Sequence, residues 1–127
     1  MLDTELHQLL APYIDAPVEC DGFARLAHTA LTHAGIEHTC MIGRIKSEDG
    51  HRCTPTHLWL ELEDGRVIDY RARMWPGNTD CVPNGVFHHS CYKSWAYDGQ
   101  PIELPILSPV ISKLLLLAIP LGPDSHQ

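Results

Sequence analysis

Leu6, Leu9, Leu10 and Tyr13 recur at helical spacing in the first stretch of the chain, and Pro12 falls where the pattern stops. The spacing predicts a short helix from Thr4 to Tyr13. In the connection Asp15-Ala-Pro-Val-Glu, Pro17 pushes the residue before it away from helical angles, so this stretch is expected to be extended. From Cys20 onward Phe23, Ala27, Ala30, Leu31 and Ala34 make one apolar stripe, and Gly35 supplies a left-handed stop after a helix running from Cys20 to His33. The small residues of that stripe predict close packing against a sheet.

After Gly35 the period changes to two. Thr39, Met41, Gly43 and Ile45 alternate with His38, Cys40, Ile42 and Arg44, which predicts a strand ended by a polar loop from Lys46 to Thr56. His57-Leu-Trp-Leu-Glu-Leu-Glu alternates cleanly, and Asp64-Gly65 before Arg66-Val-Ile-Asp-Tyr-Arg predicts a β-hairpin. Leu58, Leu60 and Leu62 are the core face of its first strand, which leaves His57, Trp59 and Glu61 on the other. From Met74 to Gln100 no period persists, although Val86-Phe87 and Trp95-Ala-Tyr have strand character. Ser108-Pro109 reads as a cap with proline in the first helical position, opening an apolar helix closed by Pro120. Its run from Leu114 to Ile119 is too short to span a bilayer and is expected to be buried. The expected fold is α+β, with the Cys20 helix packed on an antiparallel sheet in one domain spanning residues 1–127.

With 127 residues, 44% of them hydrophobic, the chain suits one modest core. The formal charge of -7 and the lack of a Lys/Arg cluster beyond Arg71 and Arg73 speak against nucleic acid and anionic lipid as partners. Met1-Leu-Asp-Thr-Glu-Leu-His has neither the basic start nor the apolar stretch of an export signal, which points to a cytoplasmic location. The five cysteines lack framework spacing and are read as unpaired thiols. Arg71, Arg73 and Trp75 alternate along an extension of the hairpin and are read as a solvated edge in preference to a cleft lining.

Cys20 opens the second helix, where unpaired N–H groups and the helix dipole favour a thiolate. His57 opens the hairpin and can take a thiol proton, with Trp59 excluding water. Asp69 can hold the imidazole in one tautomer only if the hairpin has the right register. A two-residue Asp64-Gly65 loop pairs residue 62 with 67 and turns Asp69 away from His57. A three-residue Glu63-Asp64-Gly65 loop with a left-handed Gly65 pairs 62 with 66, and Asp69 then lies diagonally across from His57. A catalytic triad requires the second. Glu19 and Asp21 flank the cysteine with two carboxylates, which oppose a thiolate if they lie close to it. Tyr13 and Gln8 are the candidates for a second oxyanion donor, with Tyr13 favoured. Neither His51-x-Cys53-x-x-x-His57 nor Cys81 to Cys91 with His88 and His89 matches common zinc spacings, so no metal or other cofactor is expected.

Glu19-Cys20 through Ala34-Gly35, then His57-Leu-Trp59-Leu-Glu61, then Asp64-Gly65-Arg-Val-Ile-Asp69 resemble the core of the transglutaminase-like superfamily, related to papain-like cysteine proteases. The resemblance covers about residues 15 to 75 and fits three blocks in the family's order. The chain departs from the family at Val18, where a glycine is frequent, and at Asp21, where an aromatic is frequent. The resemblance implies thiol chemistry on a peptide or protein amide through a covalent acyl-enzyme. Carried over by position, Cys20 is the nucleophile, His57 the base and acid, and Asp69 the orienting carboxylate. Peptide cleavage, glutamine deamidation and crosslinking share this machinery, and hydrolysis is favoured because no second-substrate site is evident. A non-catalytic binding module and a zinc-stabilised interaction domain are the rivals. The residues do not specify the substrate or the oligomeric state.

Overall fold

A computed structural model describes residues 1–74 and 81–117. Two helices lead: α1 (Asp3–Ile14) and α2 (Cys20–His33). Among the described residues the five strands are β1 (His38–Ser47), β2 (His57–Leu62), β3 (Arg66–Asp69), β4 (Gly85–His88) and β5 (Trp95–Pro101), followed by α3 (Pro109–Leu116). The strands form one antiparallel sheet in the order β4-β3-β2-β1-β5. The α+β class and the helix-on-sheet packing expected from periodicity are therefore present. The segment that looked irregular contributes both edge strands, β4 and β5, at the places where Val86-Phe87 and Trp95-Ala-Tyr97 had strand character.

α2 keeps its expected limits for local reasons. Gly35 takes φ +73, a left-handed angle that suits glycine, and the Ile36 N–H returns 2.9 Å to the Leu31 carbonyl. One face of the sheet carries Cys40, Leu60, Leu62 and Ile68, packed under Leu6 and Leu10 of α1 and Phe23, Ala24, Ala27 and Leu31 of α2. Three alanines in α2, at positions 24, 27 and 30, allow the helix to lie close to the strands.

The opposite face is also covered, by an aromatic cluster of Trp59, Phe87, Tyr92 and Tyr97 around Val67. Phe87 on β4 and Tyr97 on β5 lie 6.1 Å apart between ring centroids, although their strands are at opposite ends of the sheet order. The sheet must curl for those edges to meet. Gly43 and Gly99 stand opposite each other on β1 and β5 at the inside of the curl. A Cβ on Gly43 would meet the Asp98 carbonyl oxygen at 2.1 Å, and one on Gly99 would meet the Trp59 Cη2 at 2.6 Å. The glycine pair thus admits both the strand approach and the tip of the Trp59 indole.

Two expectations need correction. Arg71 is not at a solvated edge: β3 stops at Asp69, Ala72–Met74 form a single 3-10 turn, and the Arg71 guanidinium is drawn inward by backbone carbonyls. Trp75 lies outside the described residues. The apolar last helix is not buried, since Val110, Ile111, Leu114 and Leu117 face outward. α3 borders a groove with α2 at Pro109 and Ser112 and leaves most of its apolar residues uncovered. Ser108 caps it as expected, accepting from the Ile111 N–H at 3.2 Å. Ile119 and Pro120 lie outside the described residues. No helix among the described residues is long and apolar enough to cross a membrane.

Candidate active site

The site is built where β2 begins, β3 ends and α2 begins. Phe23, one turn into α2, packs on Tyr70 just beyond β3, with ring centroids 5.5 Å apart. Arg71 then fastens the connection that leads into α2. Its Nε donates to the Val18 carbonyl at 2.8 Å, and its Nη2 donates to Ala16 at 3.0 Å and Tyr13 at 3.3 Å. Its guanidinium also lies 4.8 Å over the Phe23 ring. Burial alone lowers the Arg71 pKa, while Asp69, Asp15 and Cys20 act in the other direction. Gly22 completes the docking, because a Cβ there would fall 2.6 Å from the Val18 Cβ.

The hairpin adopts the three-residue turn. Leu60 pairs with Ile68 and Glu61 with Val67, a register that places 62 opposite 66 and Asp69 opposite Trp59. Gly65 has φ +91, and its N–H closes the turn on the Leu62 carbonyl at 3.0 Å. His57 and Asp69 consequently share a face, and His57 Nε2 lies 2.7 Å from Asp69 Oδ2. The same Oδ2 accepts from the Tyr97 hydroxyl at 2.8 Å, while Oδ1 accepts from the Arg71 N–H at 2.9 Å. Three donors therefore fix the carboxylate.

Nε2 being engaged, Nδ1 is the ring nitrogen left for a thiol: it is buried, it has no well-formed hydrogen bond among the described residues, and Cys20 is the side chain within reach of the ring besides Asp69. Burial disfavours the imidazolium, but the charge and hydrogen bond of Asp69, followed by Cys20, outweigh it and raise the His57 pKa to about 9. Cys20 is thus near enough to influence both His57 and Arg71. At neutral pH the proton resides on His57. The raised value stabilises the folded state fully below about pH 6.5, and that contribution disappears as pH rises through about 9. Between these limits the loss should reach about 3 kcal/mol at most. Denaturant unfolding across the window should show it, and His57→Gln should remove this slope; an equal slope in the variant would contradict the assignment. The ionisation of Cys40, whose pKa burial raises from 9.0 to about 11, enters only above this window.

The acids beside Cys20 point elsewhere. Glu19 is exposed, and Asp21 is held outward by Arg25 at 2.7 Å. Cys20 itself is only 6% exposed and His57 is 0% exposed, so thiol and imidazole share an enclosed setting. Cys20, Cys40, Cys53 and Cys91 are free thiols. At the start of α2 the Phe23 N–H is the one that reaches back to Glu19, at 2.9 Å, leaving the earlier N–H groups of the first turn outside the helical pattern.

The remaining sequence candidates have other positions. The Tyr13 ring lines a groove with Leu26, Thr29 and Ala30, further along α2, and its link to the site is the carbonyl held by Arg71. Trp59 donates its indole N–H to Glu61 Oε2 at 3.0 Å and stacks at 6.0 Å from the His57 ring, which makes it a cover for the imidazole. Tyr97 is the site residue that periodicity did not single out, and Arg71 the one that alternation placed at a solvated edge. The strand character of Trp95-Ala-Tyr97 was the available signal for the first, and the position two residues after Asp69 for the second. Compared with protein families, with curated proteins and with solved structures, the chain matches none.

Proposed function

We propose that this protein is a thiol hydrolase acting on a peptide or protein amide, with Cys20 as nucleophile, His57 as acid and base and Asp69 as the orienting carboxylate. The observation that carries the reading is the buried His57–Asp69 pair, whose free Nδ1 and raised pKa are set beside a cysteine at a helix start. The order of the three motifs and this geometry together support kinship with the transglutaminase-like and papain-like enzymes.

In the proposed reaction the Cys20 thiolate, paired with the His57 imidazolium, attacks the amide carbonyl carbon. The carbonyl oxygen becomes an oxyanion that accepts from the first N–H groups of α2. His57 gives its proton to the amine nitrogen, the C–N bond breaks, and a thioester remains on Cys20. Water then adds to the thioester as His57 takes its proton. Collapse releases the acid and restores the ion pair. Asp69 balances the imidazolium throughout, and Tyr97 and the Arg71 N–H keep Asp69 in place.

A peptide mixture incubated with the wild type and with Cys20→Ser, then read by mass spectrometry, tests the reaction. New peptide termini should arise with the wild type alone. Conversion of glutamine to glutamate without cleavage would transfer the reading to deamidation. No product in either sample would count against amide chemistry. The enclosure of the thiol favours a second reading, a non-catalytic module that retains the fold.

A further inference from the structure

A second cluster of reactive side chains lies on the helix face of the sheet, away from Cys20. His28 Nδ1 on α2 is 2.7 Å from His38 Nε2 at the start of β1. His38 Nδ1 is 2.8 Å from the Ile36 carbonyl oxygen. A carbonyl only accepts, so Nδ1 carries the His38 proton and Nε2 presents a bare lone pair. His28 Nδ1 faces that lone pair, so the gap between the two nitrogens holds either a proton carried by His28 or, once that proton is displaced, a metal ion.

Cys40 supplies a third donor. It lies two residues along β1 from His38, and the ligand atoms of His28, His38 and Cys40 all fall within 4.8 Å of one another. A cleft of about 550 Å³ opens onto the three, with Glu103 on its wall. Two imidazoles, one of them oriented by a backbone carbonyl, with one thiol, are the donors that a borderline divalent ion such as zinc prefers. Tetrahedral bonds of about 2.0–2.1 Å to nitrogen would set the two nitrogens about 3.4 Å apart, so the rings need to separate by less than about an ångström.

We propose that His28 Nδ1, His38 Nε2 and Cys40 Sγ bind a zinc-like divalent ion, with the fourth position left to water or Glu103. Binding displaces the Cys40 proton to solvent and forms a metal–thiolate bond. The ion would join α2, the start of β1 and the segment after β5, which already meet through the Ile102 N–H on Cys40 O at 2.9 Å and the Leu107 N–H on Thr29 Oγ1 at 3.0 Å. The spacing His51-x-Cys53-x-x-x-His57 cannot do this, because His57 is committed to Asp69. The site does not depend on the activity proposed for Cys20.

Cobalt(II) added to the full-length Cys20→Ala variant tests this, since that background removes the Cys20 thiol as a competing ligand. One cobalt per chain should bind with a thiolate-to-metal charge-transfer band and tetrahedral visible bands, and zinc should displace it. Adding Cys40→Ala should abolish the charge-transfer band. His28→Gln should weaken binding at least about tenfold, the loss that even outer-shell changes produce. Absence of cobalt binding would overturn the proposal and leave a shared proton between the histidines. Persistence of the band in Cys40→Ala would overturn it too, by assigning the thiolate to Cys53, Cys81 or Cys91. Should Cys40→Ala not fold, the half-buried His28 decides: unchanged affinity in His28→Gln refutes the site.

Discussion

Asp69→Asn is expected to lower any Cys20-dependent acyl transfer by about 10⁴-fold, the scale on which a triad fails when its imidazole loses the orienting carboxylate. The substitution keeps the volume and removes the charge. His57 would remain at 0% exposure with only the smaller contribution of Cys20 left to favour an imidazolium, so burial, the largest influence, should dominate and its pKa should fall below the ordinary value of 6.5. The asparagine amide would also present donors to Tyr97 Oη and His57 Nε2, where the carboxylate oxygen accepts from both. Breaking a buried pair in this way costs about 3–5 kcal/mol. Denaturant unfolding at mildly acidic pH and an NMR titration of the His57 ring measure the two effects. A His57 pKa still near 9 in the variant would show that Asp69 does not hold the proton in place.

Arg71→Met is the second large effect. Methionine can fill much of the space, but the carbonyls of Tyr13, Ala16, Val18 and Tyr70 lose the donor that gathers them. Tyr13 and Ala16 keep the N–H groups of Ala16 and Val18 as donors, so the carbonyls left unpaired are those of Val18 and Tyr70, each costing about 1–3 kcal/mol. The connection between α1 and α2 should loosen, and Cys20 with it, because the carbonyls of Tyr13, Ala16 and Val18 lie in the residues just before the helix. Hydrogen exchange should therefore rise from about residue 13 to residue 22, with overall stability lower by about 3 kcal/mol or more. Arg71→Lys should restore little, since one ammonium cannot reach acceptors that a planar fork engages from several directions. Exchange unchanged in this stretch would mean that Arg71 serves only the end of β3.

Periodicity was enough for the elements nearest the chemistry. α2 is bounded by a glycine that takes the left-handed angle, and the His57 strand alternates because one face meets the helices. The bulged register was one of two that the Asp64-Gly65 turn allowed, and the conformation of Gly65 selects between them in the folded chain. What the sequence concealed was long-range. Arg71 looks like a solvent-facing arginine in any local window, and only the carbonyls of a connection more than fifty residues earlier make it a buried clamp. Tyr97 reaches Asp69 because the sheet curls, and that curl rests on Gly43 and Gly99, which are fifty-six positions apart and carry no motif. The concern over Glu19 and Asp21 arose because neighbours in sequence were treated as neighbours in space; the first turn of α2 sends Cys20 inward and Asp21 outward to Arg25. His28, His38 and Cys40 escaped notice because their spacing spans a helix, a turn and a strand.

Acylation by p-nitrophenyl acetate, mapped to individual cysteines by mass spectrometry, tests the central claim most directly. Cys20 is 6% exposed, whereas Cys53, Cys81 and Cys91 are exposed, so accessibility alone ranks Cys20 behind these three. The account predicts the reverse order near neutral pH, with Cys20 acetylated first, the acyl group turning over, and both effects lost in His57→Ala. Acetylation of Cys20 no faster than that of the exposed cysteines, or equally fast without His57, would contradict it.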